Sequence, residues 1–307
     1  MKRFRWLLFQ PFLLALFLLL APLSPVSARA GSQPVARQNP HIVILPTNFQ
    51  HVSPAAASDL SYHGGPVEET PTAHVIFWGS SWLNAGRLIK AGRVTSHFFE
   101  DAPGTAYFNI LTQYSDGGGA IHNQLNFSSV VDTSNPPTDS NCQGMYPNST
   151  VEDSSLQAEI RAEITAQHWQ VNNSTTFLVY PPPTDFVHNS FGCSEQQYCA
   201  YHGTGSGIGS YAAMAFPFSS ACQGLPQSPS GDIFSDSLVN VTSHELFESI
   251  TDPLLNAWYG SGGLSDEIGD KCAYNFSAGL TFLNNGGVYE VQTEYSNAAH
   301  ACTNHNP

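Results

Sequence analysis

The chain has 307 residues, with 10 Lys and Arg against 24 Asp and Glu, and only 11% of its residues are charged. Its 25 glycines and 21 prolines, beside a hydrophobic fraction of 41%, are typical of a loop-rich globular protein. This composition excludes a helical bundle, a coiled coil and a disordered polyelectrolyte.

The first thirty residues have the pattern of an export signal. Basic residues stand at positions 2, 3 and 5, an apolar stretch covers 6–21, and small residues at 28 and 30 fit cleavage after Ala30. A membrane anchor is the alternative, but prolines at 11, 22 and 25 interrupt or closely follow the apolar run. We therefore predict residues 1–30 to be a signal peptide and the protein to be secreted, with the cell wall as one extracellular location.

The mature chain is strongly acidic. Four of the ten basic residues lie in the first thirty, so cleavage leaves six against 24 acidic residues, a formal charge of −18. Such a surface repels phosphate backbones and anionic membranes, so nucleic-acid binding is excluded. No stable membrane insertion is expected after the signal is removed.

Six cysteines, an even number in an exported chain, predict three disulfides. No Cys-x-x-Cys spacing occurs, which argues against a thiolate zinc site or a redox pair. Closeness in sequence suggests Cys193–Cys199 and Cys272–Cys302, and elimination then leaves Cys142–Cys222.

Periodicity predicts an alternation of strands and helices. Residues 31–58 are predicted to be a linker or surface strap, and residues 59–307 one domain. In chain order we predict a strand over 73–78, a helix over 86–100, a helix capped by Asp153 and reaching Trp169, strands over 175–180 and 211–218, a helix over 236–252, and a hairpin of 281–283 and 288–294. The expected fold class is α/β, a single loop-rich, disulfide-stapled domain with a mixed sheet and flanking helices.

The most informative motif is His244-Glu245-Leu246-Phe247-Glu248, inside the predicted helix 236–252. His244 and Glu248 are four residues apart, about 6 Å along a helix axis and on one face, so they can share a metal ion. This is the metalloprotease pattern H-E-x-x-H with a glutamate in the last position, as on a zincin-like active-site helix. By that analogy Glu245 is the general base that deprotonates a metal-bound water. The alternative is a helix whose acidic residues form a solvated face.

A third ligand is expected downstream. Glu267 follows His244 by 23 positions, an offset like that of metalloproteases whose third ligand is a glutamate on a later helix. We predict one divalent metal, zinc first, with manganese or calcium as alternatives because the added carboxylate makes the site harder. The candidate outer partners of these ligands are Asp270, Asp266, Asp252 and His202.

Other features favour ordinary structural roles. The glycine-rich segment 205–209 lacks the lysine of a phosphate-binding loop, and no G-x-S-x-G nucleophile elbow occurs. His63 and His202 lie in segments predicted to be loops, where local hydrogen bonding is the usual role and contact with the metal helix is the alternative.

Several separated segments together resemble the EXORDIUM, or phosphate-induced protein, family of secreted proteins. The resemblance spans residues 60–302 and rests on ordered blocks rather than on the helix motif alone. These blocks are Tyr62-His63-Gly64-Gly65-Pro66, Phe77-Trp78-Gly79, Phe98-Phe99, the stretch 193–203, His244 to Glu248, the stretch 252–259 and the stretch 267–272.

The resemblance implies an extracellular protein, linked in plants to growth and cell-wall expansion, without a defined biochemical activity. The plant form has Asn where Asp252 stands, which argues against a ligand role for Asp252. One hypothesis is a secreted, peptidase-like metal hydrolase with ligands His244, Glu248 and Glu267, acting on a peptide. The other is a noncatalytic protein with a structural metal site that interacts with an extracellular or cell-wall component.

Overall fold

The computed structural model describes residues 42–47, 58–142 and 149–305; the predicted signal peptide and most of the predicted linker lie outside them. The helices are α1 Ser81–Asn84, α2 Gly86–Asp101, α3 Asp153–Gln167, α4 Ser220–Gln223 and α5 Ile233–Thr251, with 3-10 turns at Phe108–Gln113, Asp270–Cys272 and Asn284–Gly286. The strands are β1 Ile42–Pro46, β2 Ser61–Tyr62, β3 Thr72–Trp78, β4 Asn126–Asp132, β5 Ser149–Glu152, β6 Thr175–Tyr180, β7 Asp185–Asn189, β8 Gly192–Cys193, β9 Tyr198–Gly205, β10 Gly209–Met214, β11 Trp258–Tyr259, β12 Thr281–Phe282, β13 Val288–Tyr289, β14 Glu294–Ser296 and β15 Ala301–Thr303.

The central element is a six-stranded mixed sheet in the order β1-β9-β10-β6-β3-β4. Strands β4, β3, β6 and β10 are parallel, whereas β9 runs antiparallel to β10 and β1 antiparallel to β9. Strand β1 comes from the segment predicted as a linker, because its aliphatic run supplies Ile42, Val43 and Leu45 for burial. The α/β class with a mixed sheet is confirmed.

Helices cover both faces of this sheet, because alternate strand residues point to opposite sides. Val75 and Phe77 of β3 join the core under α2 and α5, whereas Ile76 and Trp78 join the core under α3. Within the described ranges, no helix combines the length and the apolarity needed to cross a bilayer.

The elements that were predicted from long periodic patterns agree with the structure. The strand over 175–180 is correct to the residue, and the helices over 86–100 and 236–252 are correct to within a few residues at each end. Asp153 is not the cap of α3: Glu152 is, and Asp153 is the first helical residue. Its carboxylate instead accepts hydrogen bonds from the hydroxyls of Tyr201 and Tyr211, both at 2.7 Å. Strands β4 and β9 were not predicted.

Three disulfides are present, but only one follows the predicted pairing. Cys272–Cys302 is confirmed, and the other bonds are Cys142–Cys193 and Cys199–Cys222. Cys193 and Cys199 lie on different strands, β8 and β9, and their side chains belong to different apolar clusters. Closeness in sequence therefore gave the wrong partners, because the direction of the side chain decides the bond.

A buried carboxyl group lies at the edge of the core on Glu68. The single hydroxyl proton of Thr176 faces two acceptors, Glu68 Oε1 at 2.5 Å and Ser210 Oγ at 2.9 Å. The Ser210 hydroxyl carries its own proton and can donate to Thr176, which leaves the Thr176 proton for Glu68. Burial, outweighing the hydrogen bond from Thr176, raises the pKa of Glu68 to about 8.

We expect Glu68→Gln to change how stability depends on pH. A carboxyl group with a raised pKa in the folded state destabilises the wild type progressively as pH rises from its unfolded value, near 4.5, towards about 8. Each pH unit of that interval corresponds to about 1.4 kcal/mol. The free energy of unfolding in denaturant, measured at pH 5 and pH 8, should therefore be higher at pH 8 for the variant relative to the wild type than it is at pH 5. An equal difference at the two pH values would contradict the raised pKa.

Candidate metal centre

The helix α5 is buried on all sides. Every residue from Ser235 to Thr251 is buried, since the helix packs against the sheet, α2 and α4. Its histidine and two glutamates therefore lie in the interior rather than on a solvated face. The solvated-face alternative is excluded for His244, Glu245 and Glu248, none of which is more than 1% exposed.

The imidazole at the middle of the acidic cluster belongs to His202 of β9, not to the helix. Alternation along β9 turns His202, like Ala200, towards α5. Its Nδ1 lies 3.1 Å from Glu245 Oε2 and 3.3 Å from Glu248 Oε2. Burial alone would lower the pKa of His202, but the hydrogen bonds and charges of Glu245 and Glu248 raise it to about 10.

The third carboxylate at this imidazole is Glu267. Its Oε2 lies 3.4 Å from His202 Nε2, and neither oxygen of Glu267 has a hydrogen-bond partner. Glu267 lies in a turn before a 3-10 segment, not on a later helix as the metalloprotease analogy implied. Burial, reinforced by the charges of Glu248 and Asp252, raises its pKa well above the usual range.

His244 lies on the other side of Glu248. Its Nε2 is 3.2 Å from Glu248 Oε1 and 3.8 Å from Asp270 Oδ1. Gln292 fixes the ring from behind, since its Nε2 is 3.0 Å from both His244 Nδ1 and Gly269 O while its Oε1 accepts the Tyr274 N–H. An amide donor at Nδ1 places the ring proton on Nε2, facing the carboxylates.

Glu248 is thus shared between the two histidines. Its Oε2 faces His202, whereas its Oε1 faces His244 and accepts the backbone N–H of Asp270 at 2.9 Å. Burial would raise its pKa, but the neighbouring imidazoles of His244 and His202 outweigh this and lower it to about 2. Glu248 is therefore the carboxylate of this cluster that stays ionised.

A glycine permits the loop to approach this cluster. A Cβ atom on Gly269 would lie 2.7 Å from His244 Nδ1 and 2.9 Å from Glu248 Oε1, closer than real contacts allow. The loop backbone can therefore donate to Glu248 and accept from Gln292 only because position 269 has no side chain.

The remaining candidates have other roles. Asp252 Oδ1 accepts the backbone N–H groups of Asn256 at 2.5 Å and Ala257 at 2.6 Å, so it ends α5, although its buried Oδ2 has no partner. Asp266 pairs with Lys271 at 2.8 Å, outside the cluster. His63 stacks on the Tyr259 ring with a centroid separation of 3.6 Å.

The cluster has too few cations for its carboxylates. In the part of the chain that the structure describes, the ion pairs of its acidic side chains are all with His202 or His244. Isolated buried carboxylates cost several kcal/mol each unless they are neutralised. Buried oxygens without a hydrogen-bond partner remain on Glu245, Glu248, Asp252, Glu267 and Glu294.

These donors fit a divalent cation. His202, Glu245 and Glu248 each offer one atom, all within 4.8 Å of one another, and Glu248 also belongs to a second group with His244 and Asp270. Ligands at about 2.0–2.2 Å from a common ion lie up to about 4 Å apart, so a small contraction would close the first group. One imidazole with carboxylates suits zinc or manganese.

Most of the residues singled out in the sequence lie together in this cluster. Glu245, Glu248, Glu267 and Asp270 are brought together, and both histidines contact Glu248, His202 at Oε2 and His244 at Oε1. Gln292 and Glu294 were not predicted, because an isolated Gln-x-Glu in a late strand region carries no recognisable spacing. Only their proximity to α5 shows that they matter.

No family model matches this chain. Among curated proteins it is similar to Protein EXORDIUM-like 3 of Arabidopsis thaliana, with 24% identity over 261 residues that cover 76% of this chain and 72% of that protein. The similarity supports the resemblance to the EXORDIUM family seen in the sequence. The name of that relative states neither a metal nor an activity.

We expect Gln292→Leu to destabilise the protein. The substitution removes the amide donor from His244 Nδ1 and Gly269 O in a fully buried place. Leaving buried polar groups unpaired costs roughly 1–3 kcal/mol each. The matched control is Gln170→Leu at an exposed position, which should change stability by less than about 0.5 kcal/mol. Similar unfolding midpoints for the two variants in denaturant would contradict the role of Gln292.

Proposed function

We propose that this is an exported, EXORDIUM-like protein whose buried cluster binds one divalent cation, zinc or manganese, in a structural role. The observation that carries the proposal is that buried carboxylate oxygens without hydrogen-bond partners converge on His202. Among the described residues, no lysine or arginine forms an ion pair with these carboxylates. The ligands are His202, through Nδ1, with Glu245 and Glu248, whereas Glu267 lies at the other ring nitrogen, Nε2. His244 orients Glu248 from the side opposite His202.

A structural role is favoured over catalysis by burial. The three ligand side chains are at most 1% exposed, so the ion would have almost no contact with solvent or substrate in this conformation. Structural metal sites are closed, whereas catalytic sites keep an open position. The ion would connect β9 and α5, two elements far apart in sequence.

A metal-dependent hydrolase is the second candidate, and Glu245 favours it. Its Oε1 has no hydrogen-bond partner, and its place directly after His244 is that of the base in the metalloprotease motif. Burial raises the pKa of Glu245, as a proton acceptor acting near neutral pH requires. This function needs a conformation in which substrate reaches Glu245.

The metal content of protein purified without added metal tests the first proposal. We expect about one equivalent of zinc or manganese by elemental mass spectrometry, and a chelator should lower the melting temperature reversibly. His202→Ala should lose the ion, whereas His97→Ala, at an exposed position on α2, should keep it. His244→Ala should weaken binding without abolishing it.

If His244→Ala loses the ion and His202→Ala only binds it more weakly, the ligands are those of the sequence motif, His244, Glu248 and Glu267. If His202→Ala does not fold, the chelator experiment on the wild type still decides the matter. Wild-type protein that holds no metal and is indifferent to chelator would overturn the metal proposal.

Glu245→Gln separates the structural from the catalytic role. In a hydrolase the amide cannot accept a proton, so cleavage of a broad peptide library should fall by about 10²–10⁴-fold. In a structural site the variant loses one anionic ligand, so the ion should bind less tightly and the melting temperature should fall. Wild-type protein that binds metal and cleaves no member of the library would reject the peptidase.

A further inference from the structure

A second group of acidic side chains lies on the face of the sheet opposite α5. Asp132 is the last residue of β4, and Glu159 and Glu163 are four residues apart on α3. The three offer carboxylate oxygens that lie within 4.8 Å of one another. Within the described ranges, no lysine, arginine or histidine forms an ion pair with any of them.

Glu159 is the unusual member of this group. Only 8% of the residue is exposed, and its Oε1 is buried without a hydrogen-bond partner. Its carboxyl group lies beside that of Asp132. Two carboxyl groups in contact require a proton or a cation between them.

The other two carboxylates are held in position by neighbours. Asp132 Oδ1 accepts the backbone N–H of Ser134 at 2.9 Å, and its Oδ2 accepts the Ser134 hydroxyl. That hydroxyl oxygen in turn accepts Trp78 Nε1–H at 3.1 Å. Gln167 donates to Glu163 Oε2 at 3.0 Å. The oxygens are therefore arranged before any ligand arrives.

We propose that Asp132, Glu159 and Glu163 bind a calcium ion. Calcium takes 6–8 oxygen ligands at about 2.3–2.6 Å in flexible geometry, and three carboxylates with water molecules meet that need. Water has access because Asp132 and Glu163 are partly exposed. The set has neither nitrogen nor sulfur, which distinguishes it from the zinc or manganese centre at α5.

Protons compete with calcium at this site. Burial, together with the hydrogen bond and charge of Asp132, raises the pKa of Glu159 to about 8. A cation binds the carboxylate forms of these side chains, so calcium and a proton compete for the same oxygens.

Calorimetric titration of the purified protein with calcium chloride, after dialysis against chelator, tests this site. We expect one equivalent to bind at pH 8.5. The Kd should be about 10⁻⁴–10⁻³ M, as is typical of extracellular modules, or weaker. Glu163→Gln and Asp132→Asn should each weaken binding by about tenfold or more. Glu100→Gln removes the same charge from an exposed position on α2 and should change nothing.

Two results would overturn the proposal. Wild-type protein that shows neither heat nor a rise in melting temperature with calcium would mean that the carboxyl groups share only a proton. Calcium binding that survives both Glu163→Gln and Asp132→Asn would place the ion elsewhere. Retention of calcium binding by Glu248→Gln is expected, because the two sites lie on opposite faces of the sheet.

Discussion

The structure depends on a group of carboxylates buried around α5. In the described part of the chain, the ion-pair partners of these carboxylates are two imidazoles. Three elements of the fold contribute to that place: β9 supplies His202, α5 supplies Glu245 and Glu248, and the turn before the second 3-10 segment supplies Glu267. The sheet order has a consequence here. Because β1 covers the free edge of β9, the strand that carries His202 is internal, and its imidazole is shielded from water.

Two of the segments that carry the resemblance to EXORDIUM proteins, 62–66 and 252–259, meet where α5 ends. The block 252–259 begins at the end of α5, where the Asp252 carboxylate stops the helix. The block 62–66 lies against it, since Gly65 N–H donates to Asn256 O at 2.8 Å and His63 stacks on Tyr259. Pieces separated by almost two hundred residues thus meet at the end of α5.

The sequence predicted what depends on local periodicity and missed what depends on long-range packing. Helix α5 and strand β6 have strong patterns over many residues, so their limits were nearly correct. Strand β9 was missed because its alternating pattern continues into Gly203 and Gly205, which read as loop. Because β9 was missed, His202 was left in a predicted loop and was named only as an outer partner of the metal ligands. The two wrong disulfides have the same origin, because partners across strands depend on side-chain direction.

The spacing of the cluster depends on Gly269, a residue without a side chain, as well as on the charged groups. The donors of the cluster are recognisable by their residue types, but the distance between loop and helix is fixed by the absence of a single methyl group. A chain that retained both histidines and every carboxylate yet carried alanine at this position would have the right chemistry at the wrong separation. In a search for proteins with an equivalent centre, the glycine between Glu267 and Asp270 would therefore discriminate better than any one of the acidic residues around it.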